Sequence, residues 1–380
     1  MAHQQTELEL QAAQMIPTAD EVAGIFAVQT HDHKKSDAQY AHVMDNLGFG
    51  IDFTDYMAHA TWTEPEGWHN KVIEPYGPLS LDPGSSVLHY GQEVFEGLKA
   101  YRHADGSIWT FRPSYNAVRL NYSSGRLAIP ELPVDDFLAS IVDLIRMDQR
   151  WVPEGEGTSL YLRPFIIASE SFLGVRAASR YEYVVIASPS GPYFAHGFQP
   201  IDVWVDQKYH RAGPGGMGDA KTGGNYAASL LPKIEAHHHG FDEVMFLDAQ
   251  TNSNVDELGG MNVFIVMADG SVKTPKLTGN ILPGGTRSSI IQFLEDERIA
   301  VEEATINIDW LVDGLRSGEV KEVFACGTAA VVTAIGRIAG ENFDITIPTG
   351  DMTRHVYDEL TSIQLGKAED RFGWLYKISE

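Results

Sequence analysis

The stretch Gly213-Pro-Gly-Gly-Met-Gly-Asp-Ala-Lys-Thr-Gly-Gly-Asn-Tyr226 sets one lysine, Lys221, inside a dense run of glycine. Glycine lets a backbone approach a ligand closely and adopt positive φ. Several readings of the stretch compete. As a dinucleotide fingerprint, Gly213-x-Gly215-x-x-Gly218 matches GxGxxG, but no strand pattern runs directly into it. As a P-loop, Gly215 to Thr222 matches except that Ala220 replaces the last glycine, and glycines continue after the lysine where a P-loop turns straight into helix. A plain surface loop with an ordinary lysine requires no chemistry. The remaining reading is a lysine that forms a Schiff base. An amine attacks an aldehyde only when partly neutral, and desolvation or cationic neighbours bring that about.

The Schiff-base reading makes demands on the rest of the chain. Pyridoxal phosphate needs a phosphate cup, a carboxylate for its ring nitrogen and a hydroxyl near its phenolic oxygen. Ile281-Leu-Pro-Gly-Gly-Thr-Arg-Ser288 opens a predicted helix, and bare amides at a helix N-terminus bind phosphate. Cys326-Gly-Thr328 ends an apolar strand at a glycine and offers a second hydroxyl with further amides. Asp256-Glu-Leu-Gly-Gly-Met261 places Glu257 in a strand-like segment, where taken alone it could equally face solvent. Tyr226 follows the lysine by five residues and either reaches the same cofactor face or simply packs.

The 380 residues exceed one ordinary core and predict two domains. A formal charge of −24 repels nucleic acid and anionic lipid, so neither is an expected partner. No run approaches the roughly 20 apolar residues of a membrane helix, and MAHQQTELEL lacks the order of a secretory signal. The single cysteine, Cys326, allows no intrachain disulfide and suits a reducing cytoplasm. No metal site is expected. His237-His238-His239 points in different directions around a helix end and suits its dipole. Residues 1–35 read as a partly ordered arm, 36–189 as a smaller α/β domain, 190–200 as a linker and 201–380 as a larger cofactor-binding domain. Within them, His103–Gly106 predicts a hairpin, Pro133–Met147 a helix, and Ser159–Ala168 and Tyr181–Ala187 strands. Further on, Asn225–His238 reads as one helix and Val255–Ala268 as one strand. Neither half shows the βαβ alternation of a doubly wound sheet, so the class is α+β.

LHYGQEVFEGLKAY (88–101), FRPSYNAVRL (111–120), SLYLRPFI (159–166), GDAKTGGNYAASL (218–230), DELGGMNVF (256–264), LPGGTR (282–287) and EVFACGTAA (322–330) stand in this order. In these segments the chain closely resembles the branched-chain-amino-acid aminotransferases of fold type IV, from about Phe49 to Gly366. The resemblance implies two α/β domains joined by a linker, with pyridoxal 5'-phosphate between them. It implies Lys221 as the Schiff-base lysine and Glu257 as the carboxylate at the ring nitrogen. Arg119, Leu282, Gly285, Thr286 and Thr328 fall on phosphate-side positions and Tyr226 beside the phenolic oxygen. Tyr90, Tyr161, Arg163 and the Gly327–Ala329 turn match the substrate-carboxylate side. Phe49, Phe95 and Tyr193 match the apolar side-chain pocket. Ala330 and Thr333 replace a redox CxxC pair of some relatives, and Gly260 stands where some carry threonine, which widens the pocket locally.

The implied activity is transamination of leucine, isoleucine and valine with 2-oxoglutarate, giving branched-chain 2-oxo acids and glutamate. The implied assembly is a homodimer in which Tyr90 reaches the neighbour's site. Within the same fold type, a D-amino-acid aminotransferase or an aminodeoxychorismate lyase is the near rival. A P-loop nucleotide-binding protein is the distant one.

Overall fold

The computed structural model describes residues 6–32, 34–191 and 198–380. The chain divides into two compact units: Glu7–Ala195 with Ser362–Glu380, and Met1–Thr6 with His196–Thr361.

The first unit is built on a nine-stranded sheet. Its strands are β1 (Ala27–Val28), β2 (Tyr56–Thr63), β3 (Gly67–Pro75), β4 (Glu93–Phe95), β5 (Leu98–Arg102), β6 (Ile108–Phe111), β7 (Ser159–Ala168), β8 (Arg180–Ser190) and the C-terminal strand Leu375–Ser379. The order is β1-β3-β2-β8-β7-β5-β6 and then the C-terminal strand, with β4 added to β7. Every pairing is antiparallel except β1 with β3. Helices α1 (Glu7–Ala12), α2 (Ala19–Val22), α3 (Asp37–Asp45), α4 (Ser86–Tyr90), α5 (Pro113–Arg126) and α6 (Val134–Met147) complete the unit. The predicted hairpin forms: Arg102 pairs with Ile108, and Gly106 turns the chain at φ 90°. In α6 the apolar stripe of Phe137, Leu138, Ile141, Leu144 and Ile145 is buried. Asp135 and Asp136 sit in its first turn, where they suit the positive end of the dipole.

The expected arm is more ordered than its composition suggests. Leu8 and Ala12 pack on Tyr115 and Val118. Phe26 is wholly buried, β1 pairs with β3, and the buried Asp143 of α6 accepts from the amides of Gly24 and Phe26. Its apolar residues are too sparse for a periodicity. Their partners lie a hundred residues away in sequence, so local composition misses them.

The second unit holds another nine-stranded sheet, in the order β11-β10-β9-β16-β15-β12-β13-β14 with β17 on β16. The strands are β9 (Ile201–Asp206), β10 (Glu243–Leu247), β11 (Val255–Leu258), β12 (Asn262–Met267), β13 (Val272–Pro275), β14 (Val301–Ala304), β15 (Val320–Gly327), β16 (Val331–Gly340) and β17 (Phe343–Thr346). Its helices are α7 (Gly223–Ala228), α8 (Leu230–His238), α9 (Gly285–Asp296) and α10 (Ile308–Ser317), followed by α11 (Asp351–Gln364). Strands β10 and β12 are buried at every position and are apolar after their opening residues, Glu243 and Asn262.

Two predicted elements divide. The helix expected over 225–238 breaks at Ser229, whose hydroxyl donates back to the Tyr226 carbonyl at 2.7 Å. Pro232 lacks the N–H that would continue the ladder to Ala228. The strand expected over 255–268 reverses at Gly259–Met261 into β11 and β12, closed by the Leu258 amide on the Met261 carbonyl at 2.9 Å. A largely antiparallel first sheet and a mixed second sheet give the α+β class expected, without doubly wound order.

Candidate active site

Lys221 lies at the end of the glycine-rich loop, two residues before α7. The loop runs close against a neighbouring segment: a Cβ on Gly218 would sit 2.2 Å from the Asn280 carbonyl oxygen, so only glycine fits. Arg211 donates from one nitrogen, Nη2, to the carbonyls of Gly218 at 2.6 Å and Asn280 at 2.9 Å. The single turn of α7 brings Tyr226 back over the lysine, and Lys221 Nζ donates to the Tyr226 hydroxyl at 2.6 Å. Strand β9 ends at Asp206, well before the first glycine, and the lysine is engaged by a phenol. The strand-loop-helix continuity required of a dinucleotide fingerprint or a P-loop is absent from this stretch.

Glu257 projects from the short strand β11 and is only 3% exposed. Its carboxylate accepts from the Leu282 amide at 3.0 Å and from Asn262 Nδ2 at 3.1 Å, and it forms an ion pair with Arg211. Burial pushes this carboxyl above its ordinary range, while the charge of Arg211, the Leu282 amide and the charge of Lys221 pull it back. The amine and the acid are therefore close enough to feel each other.

Asn262 opens β12 and spends its second N–H on the Leu282 carbonyl at 3.0 Å. It thereby ties the acid to the approach of α9. That helix starts at Gly285 behind a glycine N-cap, with no side chain capping it and no acidic residue in its first turn. Its positive end is not neutralised from within. A Cβ on Gly284 would sit 2.1 Å from Asn262 Oδ1, so the glycine makes room for the asparagine. The turn after β15 joins the same neighbourhood: a Cβ on Gly327 would lie 3.5 Å from the Gly260 carbonyl. A Cβ on Gly260 would meet only the edge of the Tyr226 ring, at 3.9 Å. Thr328 and Ala329 occupy the turn between β15 and β16, and Thr286 the first turn of α9.

The first unit gathers a second group. Strand β7 alternates, with Leu160, Leu162 and Ile166 buried and Tyr161, Arg163 and Phe165 on the other face. Arg163 Nη2 donates to the Tyr161 hydroxyl at 3.0 Å, and its guanidinium lies over the Phe95 ring at 4.7 Å. Phe49 meets Tyr161 edge-on at 5.0 Å. A Cβ on Gly97 would sit 2.1 Å from the Tyr161 hydroxyl, so this tyrosine also requires a glycine beside it. Arg119, expected as a phosphate ligand, is 4% exposed and spends two nitrogens on Glu96, at 2.7 and 2.8 Å. Glu96 also accepts from Asn116 Nδ2 at 2.8 Å and the Gly97 amide at 3.1 Å. Much of the arginine's charge is thus balanced inside its own unit. Tyr90 ends α4, is 43% exposed and donates its hydroxyl to the Leu173 carbonyl. Tyr193 lies outside the described residues.

Lys221, Tyr226, Glu257, Gly260 and Leu282 are therefore brought together, as are Phe49, Phe95, Tyr161 and Arg163. Sequence reasoning missed Arg211, Asn262, Asn280 and Glu96. Asn262 and Glu96 stand inside quoted motifs, each a polar residue in an apolar frame, which was the available signal. Arg211 had none, because Glu257 and Asn280 are remote from it in sequence.

Three comparisons bear on this geometry. The model of the class IV aminotransferase family matches residues 93–338. A branched-chain-amino-acid aminotransferase of Mycolicibacterium smegmatis is 48% identical over 361 residues, 93% of this chain and 98% of that protein. Among solved structures, the Escherichia coli branched-chain amino acid aminotransferase superposes with a TM-score of 0.71 at 29% identity, over 85% of this chain and 100% of that one. The branched-chain aminotransferase of Thermoproteus uzoniensis, solved with norvaline, gives 0.71 at 26% identity over 84% and 99%. A lysine under a tyrosine, a buried acid and an uncapped helix start, on a chain alike over nine-tenths of its length, admit one assignment: it belongs to the branched-chain-amino-acid aminotransferases of class IV.

Proposed function

We propose that this protein transfers the amino group of leucine, isoleucine and valine to 2-oxoglutarate with pyridoxal 5'-phosphate, yielding branched-chain 2-oxo acids and glutamate. The observation that carries the reading is the Lys221–Tyr226 contact at 2.6 Å beside a carboxylate buried with its own counter-cation. The donor set fits the cofactor. An amine can bond its aldehyde, a phenol can bond its phenolic oxygen, a carboxylate can accept from its ring N–H, and an uncapped helix start can take its phosphate. Lys221, Tyr226 and Glu257 would fill the first three roles, with Leu282 beside Glu257, and the family likeness assigns Gly285, Thr286, Thr328 and Arg119 to the phosphate. When bound, the cofactor supplies an electron-accepting ring that stabilises negative charge left on the substrate's α-carbon.

The chain's own residues do the rest. Lys221, once free, is the base that takes the α-proton and returns it to a neighbouring carbon. Tyr226 holds the amine through its hydroxyl and so fixes the direction of that transfer. Glu257 as an anion favours a protonated ring nitrogen. The family likeness assigns Tyr161, Arg163, Ala329 and Tyr90 to the substrate carboxylate, and Phe49, Phe95, Tyr193 and Gly260 to an apolar side chain. Each methylene in such a pocket discriminates by only about 1–3 kcal/mol, so all three branched substrates are accepted. We further propose a cytoplasmic homodimer, supported by the family likeness.

The test is glutamate formation from L-leucine and 2-oxoglutarate. Wild type should turn over, D-alanine should not replace leucine, and Lys221→Ala should be inactive. A D-alanine preference would move the chain to another fold type IV activity, and an active Lys221→Ala variant would overturn the lysine's role.

A further inference from the structure

We propose that Arg211 is a positioning residue that keeps Glu257 an anion at the cofactor's ring nitrogen and, with the same nitrogen atom, fixes the lysine loop beside it. This rests on the reading of the site given above. Arg211 and Glu257 are both almost fully buried, with side chains 5% and 4% exposed. The acid's two oxygens accept two hydrogen bonds, from Leu282 N–H on Oε1 and Asn262 Nδ2 on Oε2, and Oε1 is also ion-paired with the Arg211 guanidinium. Two donors and a cation thus face the carboxyl. A neutral carboxylic acid carries its own proton on one oxygen and would turn it against one of them. The setting therefore suits the anion.

An amide and an asparagine are neutral, however, and offset only part of the cost of burying a charge. Guanidinium stays protonated throughout the range proteins experience and is the cation for the task. It does so from the lysine's own loop. Nη2 also holds the carbonyl of Gly218, three residues before Lys221, and that of Asn280, two residues before Leu282. Charge and geometry are thus set by one group: the loop of the amine, the strand of the acid and the segment leading into α9 all meet on it. Burying Arg211 Nε without a hydrogen-bond partner is costly, which argues that the position of Nη2 is what the fold retains.

The test uses the full chain without cofactor, then with it. The Glu257 carboxyl is followed by carbon-13 NMR against pH, identified by its loss in Glu257→Gln. Arg211→Gln removes the charge and should raise the titration midpoint by at least one pH unit, about a tenfold change in acid dissociation. Arg211→Lys keeps the charge but loses the three-way contact. It should raise the midpoint by less while weakening cofactor binding.

With nitrogen-15-labelled pyridoxal phosphate, the ring-nitrogen signal of Arg211→Gln should move toward the unprotonated position at neutral pH. In a Glu257→Gln background the same substitution should move it no further. A purely structural arginine would destabilise both variants and leave the carboxyl midpoint unchanged, and that result overturns the proposal. Should Arg211→Gln fail to fold, the midpoint of Arg211→Lys decides: a rise supports the proposal, and wild-type titration overturns it. Failure of wild type to bind pyridoxal phosphate would instead sink the functional reading, while the cofactor-free titration would still judge Arg211.

Discussion

Replacing Glu96 by glutamine would leave the shape of the first unit nearly unchanged and remove one charge from its interior. Glu96 is wholly buried, and its donors include two from Arg119, one from Asn116 and one from the Gly97 amide. Glutamine can accept with one oxygen only, and its NH2 group would face donors. The larger effect is on Arg119, a 4% exposed guanidinium that loses the charge of Glu96. Breaking a buried ion pair from one side costs about 3–5 kcal/mol, against a total stability on the order of 5–15 kcal/mol for a domain. With a urea dependence of about 1–3 kcal/mol/M, the unfolding midpoint should fall by about 1–5 M. Tryptophan fluorescence is the assay, because Trp62, Trp68, Trp109, Trp151 and Trp374 all belong to this unit. Adding Arg119→Met should recover much of the loss, since removing both charges spares the desolvation cost. A midpoint within about 0.3 M of wild type for Glu96→Gln alone, a difference too small for a dry ion pair on this scale, would refute the reasoning.

Gly284→Ala should drive Asn262 off Glu257, because the new Cβ would stand 2.1 Å from Asn262 Oδ1. Loss of a hydrogen bond to a charged group is worth about 1.5–3 kcal/mol. Pyridoxal-phosphate affinity measured by fluorescence titration should therefore drop roughly ten- to a hundredfold, and unchanged affinity would contradict the placement. His59 lies between Glu182, at 3.2 Å, and Glu74, at 2.8 Å, and these carboxylates hold its imidazole above the ordinary value against the opposing effect of burial. Its stabilisation is complete below the unfolded value of about 6.5 and is lost as pH rises through the higher folded value. His59→Gln should therefore destabilise the protein more at pH 6 than at pH 9 in thermal unfolding, and an equal loss at both would deny the charged pairing.

What could be read from the chain was whatever its physics keeps local. The 103–106 turn, the stripe of α6 and the alternation of β7, which sets Tyr161 and Arg163 on one face, follow from periodicity. The Lys221–Tyr226 contact needs only one helical turn. The Gly259-Gly260 reversal and the Pro232 break carried signals too, but apolar runs on either side masked them. The rest depends on distance. Arg211 meets Gly218, Glu257 and Asn280, and no local pattern announces a guanidinium whose charge partner, Glu257, and second carbonyl, Asn280, are remote in sequence. Asp143 gathering the amides of Gly24 and Phe26 is the same case, and it is why the N-terminal stretch looked looser than it is.

The central claim is tested most directly by loading the protein with pyridoxal phosphate, reducing it with borohydride and mapping the labelled peptide. The phosphopyridoxyl group should be found on Lys221 alone, and L-leucine added before reduction should remove it from that residue. Labelling of a different lysine, such as the half-buried Lys99, or no covalent label at all, would contradict the account.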